Sequence, residues 1–236
     1  MVNNAFVDIW TIPLTLELPE NLPLSAAEMS RAREYQPAPR RTFVIGRYAV
    51  RCILAAYLQT LPEQVMFQTN AFGKPSLAGI SSELQFNVSH SADLAVCAVT
   101  QSAQIGIDIE YIRLIEPIDD MQAMAQLYFA DQEYQQFMQL PVAEQLEAFF
   151  ALWTRKEAFI KGVGQGLAHP LNNFCVPFNK TAINNRMRVY DAETGADKGW
   201  SLFAFQPEPH YMAAVAIEGA FLAYPSFKRF PGDIPR

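Results

Sequence analysis

The sequence predicts an α+β fold built from two similar halves, and three observations lead there. Half of the 236 residues are hydrophobic and 18% are charged, the balance of an ordinary globular chain rather than a disordered or membrane-embedded one. Short apolar strands are interspersed with amphipathic helices in no strict strand-helix-strand alternation, which argues for α+β over a parallel α/β sheet. LQFNVSHSADLAVCAVT and SLFAFQPEPHYMAAVAIE share one pattern: a strand, a loop holding a histidine (His90 or His210), and a strand rich in alanine and valine. An amphipathic helix and a glycine-containing loop precede each. The repeat places one half over 1–104, a second over 105–222 and a tail over 223–236, with the space between the halves as the natural place for a pocket.

In chain order, VDIWTIPL reads as a first strand and SAAEMSRAREY as a short polar helix. FVIGRYAVRCILAAYL is a strongly amphipathic helix, its apolar residues recurring at three and four. NAFGKPSL follows as a Gly-Pro loop. LQFNVSH and LAVCAVT are short strands around the polar connection SADL, and IGIDIE is a third. MQAMAQLYF, ADQEYQQFM and AEQLEAFFALWTRKEAFIKGVG are helical, the last stopping at glycines. FCVPF, MRVYD, WSLFAFQ and YMAAVAIEG return to strands. FPGDIPR reads as a mobile proline-rich end.

Cys52, Cys97 and Cys175 lie far apart in apolar surroundings with no metal-ligand spacing, which predicts core residues in a reducing compartment. MVNNAFVDIW shows no basic region followed by an apolar run, and nowhere do roughly 18 apolar residues follow one another. The expectation is a cytoplasmic protein with no membrane partner. A formal charge of −6 disfavours a nucleic-acid partner, whose phosphates need neutralising. Arg31, Arg33, Arg40, Arg41, Arg47 and Arg51 nevertheless cluster. They form either a solvated helix face or a site for a small polyanion, since arginine forks match phosphate geometry.

Four stretches could carry chemistry. In IGIDIE the isoleucines take one strand face, while Gly106, Asp108 and Glu110 take the other. Two neighbouring carboxylates repel unless a cation lies between them; the bland alternative is a solvated polar face. Gly106 leaves room for something to approach the backbone. In FFALWTRKEAFIK, Glu157 and Lys161 are one helical turn apart with Trp153 a turn earlier. So many apolar neighbours imply burial, and buried charges need a partner or a metal. In NVSHS, Ser89 and His90 face opposite ways and cannot easily form a nucleophile-base pair, so anion binding suits them better. In FGKPSL, Gly73 and Pro75 fix a turn that presents Lys74.

In combination and order, FGKPSL, FNVSHS, IGIDIE and FFALWTRKEAFIKGVGQGL resemble the 4′-phosphopantetheinyl transferases, specifically the larger type that activates the surfactin synthetase. The most diagnostic piece is Ile-Gly-Ile-Asp-Ile-Glu with a downstream Trp153, Lys156, Glu157, Ala158 and Lys161. The resemblance implies a fold of two α+β halves related by a pseudo-twofold axis with coenzyme A between them. It also implies a reaction that moves the phosphopantetheine arm of coenzyme A onto a serine of an acyl, polyketide or peptidyl carrier protein. By this resemblance Asp108, Glu110 and Glu157 hold Mg2+. Glu157 also takes the serine proton, Lys161 neutralises the departing phosphate and His90 grips the pyrophosphate. Gly73, Lys74 and Pro75 line the nucleotide side, Ser89 contacts the phosphates, and Arg40 and Arg47 meet the 3′-phosphate, with Arg41 or Arg51 as substitutes. Two fused halves imply a monomer. A metal-dependent phosphohydrolase and a non-catalytic coenzyme- or carrier-binding module are the competing readings.

Overall fold

The computed structural model describes residues 6–79, 83–115, 117–166, 169–178, 186–220 and 223–234. Two antiparallel hairpins anchor it. One joins β4 (Leu84–Ser91) to β5 (Leu94–Gln101), and the other joins β9 (Asp197–Phe205) to β10 (Tyr211–Glu218). These are the two segments whose patterns repeat in the sequence. Each half also carries a helix of 22 residues, α2 (Pro37–Leu58) and α5 (Val142–Val163).

The strands form two main sheets. With β1 (Val7–Pro13) and β11 (Ser226–Arg229), the first hairpin gives a four-stranded sheet in the order β11-β1-β5-β4. With β6 (Ile105–Tyr111), β7 (Phe174–Cys175) and β8 (Arg186–Asp191), the second gives five strands in the order β6-β10-β9-β8-β7.

Three buried clusters fix the layering. Trp10, Ile12, Cys97 and Val99 pack under α2 residues Ile45, Ile53 and Leu54. The opposite face of that sheet, with Val7, Ile9 and Val96, packs on Ile105, Ile107 and Ile109 of β6 together with Val215 and Ile217 of β10. The outer face of the second sheet packs under α5 and the short helices α3 (Ile118–Tyr128) and α4 (Asp131–Met138). The period-two pattern of IGIDIE thus aims its isoleucines at the shared core and its acids at the helix side.

Three local readings change. The helix α2 begins at Pro37, six positions ahead of the apolar run that reveals it, because a proline at the first turn is compatible with helix and the polar first turn has no apolar stripe. NAFGKPSL divides into the tip NAFGK and the strand PSL of a small hairpin formed by β2 (Phe67–Thr69) and β3 (Pro75–Leu77), whose three-residue strands are too short to show a period. The tail is ordered over its described residues, 223–234, and residues 235–236 lie outside them. β11 pairs parallel to β1, and Phe230 is buried in the α2 core, an aromatic anchor that outweighs the prolines around it.

A buried ion pair sets the rotation of α5. Lys156 Nζ lies 2.6 Å from Glu133 Oε2 of α4 and donates to the carbonyls of Leu171 at 2.8 Å and Phe174 at 2.7 Å. Glu133 accepts from the N–H groups of Ala130 at 2.9 Å and Val176 at 2.7 Å. Burial drives the Lys156 pKa down and the Glu133 pKa up, and the pairing opposes both. Lys156→Met leaves a buried carboxylate without its counter-ion, so unfolding in denaturant is expected to show a loss of about 3–5 kcal/mol. An unchanged midpoint and slope would show that the pair is dispensable.

Candidate active site

The site begins with a glycine. A Cβ on Gly106 would lie 2.1 Å from both Ala158 O and Gly162 N, so only glycine lets α5 touch the backbone of β6. That contact sets Glu157 and Lys161 of α5 over the acidic face of β6.

Lys161 Nζ donates to Asp108 Oδ1 at 2.5 Å and to Ser89 Oγ at 2.8 Å, and Ser89 Oγ donates to the same Asp108 oxygen at 2.9 Å. Asp108 is 2% exposed. Its second oxygen, Oδ2, is buried and without a hydrogen-bond partner. Glu110 accepts from Ser91 Oγ at 2.9 Å.

The strands β4 and β6 meet through side chains instead of a backbone ladder. Asn87 Oδ1 accepts the N–H of Ile107 at 2.9 Å, and Ser91 Oγ accepts the N–H of Tyr111 at 3.0 Å. Asn87, Ser89 and Ser91 alternate along β4 and so share one face. The alternation is visible in NVSHS; the strand it serves is not. Sequence reasoning therefore missed Asn87 and Ser91.

The electrostatics follow from two acids on β6 and a third on the helix above them. Burial, then Asp108 and Glu110, raise the Glu157 carboxyl to about 7, against the pull of Lys161. Asp108 is raised by burial, opposed by Lys161, Ser89 and the backbone of Ile109. Glu110 is raised by burial and by Asp108, with Ser91, Lys161 and Arg113 opposing. A base near neutrality beside an ammonium and a buried carboxylate is suited to moving a proton while negative charge develops nearby.

The three acids expected to hold Mg2+ are coupled but not closed into a chelating set. Among the described residues, no group of three or more His, Cys, Asp or Glu side chains is gathered as a metal site. The ammonium of Lys161 supplies the positive charge at Asp108 in this arrangement.

Other expected residues fall in several places. Gly73, Lys74, Pro75 and Lys161 line one hollow of about 220 Å3, with Asn87 among the other wall residues. It is smaller than the roughly 300–1,000 Å3 of most small-molecule sites, so a coenzyme-sized ligand would extend beyond it. The Lys74 ammonium does not face that hollow's solvent freely. It donates to Gly162 O at 2.7 Å and Ile105 O at 3.1 Å, and burial lowers its pKa to about 8 while Glu218 acts the other way. His90 is exposed on the face of β4 opposite Ser89.

The arginines separate. Arg40 donates to the carbonyls of Ala32, Arg33 and Tyr35 at 3.1, 3.2 and 3.0 Å, closing the end of helix α1 (Ala26–Glu34). Arg41 donates to Leu16 O at 3.0 Å. Arg51 is buried, held by Glu28 and by the carbonyls of Pro62 and Val65. Arg47 lies 3.3 Å from Glu28 and stacks over Phe67 of the β2–β3 hairpin, 4.8 Å from the ring centre. Burial lowers its pKa, Glu28 raises it, and Arg51 and Arg31 lower it further. A larger hollow of about 750 Å3, lined by Leu114, Ile118, Met121, Val142 and Leu146, has no acid or base on its walls among the described residues.

Comparison with known proteins gives this geometry its family. Residues 104–215 match the model of the 4′-phosphopantetheinyl transferase superfamily, and residues 24–102 match that of the 4′-phosphopantetheinyl transferase N-terminal region. The chain is 38% identical over 222 residues to 4′-phosphopantetheinyl transferase HetI of Nostoc sp., covering 90% of this chain and 88% of that one. It is 42% identical over 135 residues to 4′-phosphopantetheinyl transferase psf-1 of Bacillus pumilus, covering 57% and 54%. With 4′-phosphopantetheinyl transferase Sfp of Bacillus subtilis the identity is 33% over 144 residues, 61% of each chain. The two matched regions meet where β6 begins and together contain every side chain placed around Asp108, so the chain belongs to the 4′-phosphopantetheinyl transferase family.

Proposed function

We propose that this chain transfers the 4′-phosphopantetheine group of coenzyme A to a serine of an apo acyl, polyketide or peptidyl carrier protein in a Mg2+-dependent reaction. The observation that carries the site assignment is the convergence of Lys161, Ser89 and Asp108 within 2.9 Å, beside a Glu157 held at about 7. In the reaction the carrier serine oxygen attacks the β-phosphorus of the coenzyme. The bond from that phosphorus to the bridging oxygen breaks, and 3′,5′-adenosine bisphosphate departs. Glu157, as carboxylate, takes the serine proton. Lys161 is assigned to balance charge on the departing phosphate, and Ser89, 2.8 Å from its ammonium, to orient it. His90, on the exposed side of the same strand, is assigned to the pyrophosphate.

The donor set fits a hard divalent cation. The unpartnered buried Oδ2 of Asp108, and the raising of Glu110 by Asp108 and of Glu157 by both, favour a positive charge among them. When bound there, Mg2+ would neutralise phosphoryl oxygens. Gly73, Lys74 and Pro75 form the nucleotide wall. Arg47, half-buried beside the hairpin that carries Pro75, is assigned to the 3′-phosphate. Arg40 is assigned there as well through the N–H groups it does not use on α1, since a guanidinium carries about five.

The two hairpins and two long helices support a pseudo-twofold relation between halves bounded near residue 104, which in turn favours a monomer. Among the described residues no helix is long and apolar enough to cross a membrane, and the setting we assign is the cytoplasm.

The decisive experiment incubates the protein with coenzyme A, Mg2+ and an apo carrier protein and weighs the carrier. A gain of one phosphopantetheine group is expected. Hydrolysed coenzyme with unmodified carrier would point to a phosphohydrolase, and tight coenzyme binding with no product to a binding module.

A further inference from the structure

The tip of the β2–β3 hairpin is exposed, and a two-stranded hairpin of three-residue strands holds its shape poorly alone. Two side chains fasten it to the other half. Asn70 Nδ2 donates to Gly164 O at 2.8 Å, across 94 positions of sequence, while its Oδ1 accepts the N–H groups of Phe72 and Lys74 at 2.9 Å each. Lys74 Nζ reaches Gly162 O, Ile105 O and, at 3.4 Å, Gln104 Oε1. The acceptors are the last turn of α5, the start of β6 and the residue before it.

Gly164 ends α5 in the left-handed conformation at φ 77°, which turns its carbonyl toward the tip. A Cβ there would lie 3.0 Å from Lys74 Cδ and 3.4 Å from Asn70 Nδ2, so helix terminus and tip are packed as one surface.

We propose that Asn70 and Lys74 form a latch across the seam, holding the nucleotide wall Phe72–Pro75 on the same α5 turn that carries Lys161. Both are positioning residues in this role, and neither needs to touch the reacting atoms. The proposal rests on the transferase reading above for what the cleft holds. It departs from the expectation that the Lys74 side chain is chiefly a ligand contact. Its consequence is pre-organisation. A tip that must be captured by the coenzyme itself lowers the competent fraction and weakens apparent affinity by that fraction, whereas turnover at saturation is retained.

Two variants separate the cross-seam bond from the turn inside the tip. Asn70→Ala removes both, and Asn70→Asp keeps the Oδ1 acceptor but loses the donor to Gly164. Both are expected to raise KM for coenzyme A about tenfold with kcat within about twofold of wild type, if the open tip comes to outweigh the closed one by about ten to one. Amide exchange in residues 70–74 of the coenzyme-free protein should rise in both. Asn70→Asp matching wild type in KM and exchange would overturn the latch. So would a joint fall of kcat and thermal midpoint, which marks a merely structural residue. If wild-type protein moved no phosphopantetheine, the transferase reading would fail by itself, and the exchange comparison would still decide the latch.

Discussion

Asp108→Asn is expected to lower the transfer rate at saturating coenzyme A by about 10³-fold while the protein stays folded, the scale seen when a fixed electrostatic partner of the transition state is removed. The substitution keeps the side-chain volume and one oxygen for Ser89 and Lys161, but it takes away the only fully buried negative charge of the three assigned acids. Stability should not suffer. Burial raises the Asp108 pKa, so its neutral form is the one the fold prefers, and the stability linked to that proton is lost as pH rises through the raised value. A permanently neutral isostere is therefore at least as stable as the wild type at neutral pH. Lys161, about a third exposed, can hydrate when its partner loses charge. Coenzyme affinity should persist as well, because Asp108 is not among the residues that line the nucleotide-side hollow, and Arg47 lies beside the β2–β3 hairpin. Mass spectrometry of the carrier, thermal melting and coenzyme calorimetry test the three parts. Unfolding of the variant would make Asp108 a structural residue; near-normal transfer would remove it from the site.

The centre of this site is written locally, and its surroundings are not. Period-two alternation separates Asp108 and Glu110 from the isoleucines, and one helical turn joins Glu157 to Lys161, so each pair is legible within a few residues. That Gly106 admits a close approach is also legible, but the visitor is the backbone of α5 at Ala158 and Gly162, some fifty positions on, and only packing discloses it. The arginine cluster shows the limit more sharply. Its charge is plain in the sequence, yet Arg40 closes α1 through three carbonyls and Arg51 is buried on two others. Backbone acceptors carry no residue signature, so a guanidinium that serves them reads like one that awaits a phosphate. Lys74 is the same case, its ammonium held by carbonyls at 105 and 162. At the chain's end the prolines of FPGDIPR suggest looseness. For its described part, through residue 234, one buried ring at Phe230 and the parallel pairing of the preceding β11 with β1 decide otherwise, because long-range pairing leaves no local period to read.

Glu157→Gln is expected to cost about 10²–10⁴-fold in kcat, the usual worth of a positioned general base, and to remove the acid limb of the pH profile. Only the carboxylate accepts the serine proton. With Glu157 raised to about 7 by burial and by its acidic neighbours, wild-type transfer should climb as pH passes through that region. A divalent cation among the same carboxylates favours their charged forms, so the limb should move to lower pH as Mg2+ is increased. The sign of the stability effect is independent of turnover. Glu157 moves from 4.5 to about 7 on folding, so its contribution is present in full below about 4.5 and is lost as pH rises through about 7. Metal-free wild type should therefore weaken relative to Glu157→Gln across that window in denaturant titrations, and Mg2+ should restore the stability lost by the wild type. Because Asp108, Glu110 and Glu133 are raised in both proteins, only the comparison between them isolates Glu157. A glutamine variant that keeps both its acid limb and most of its turnover would transfer the base role to another group.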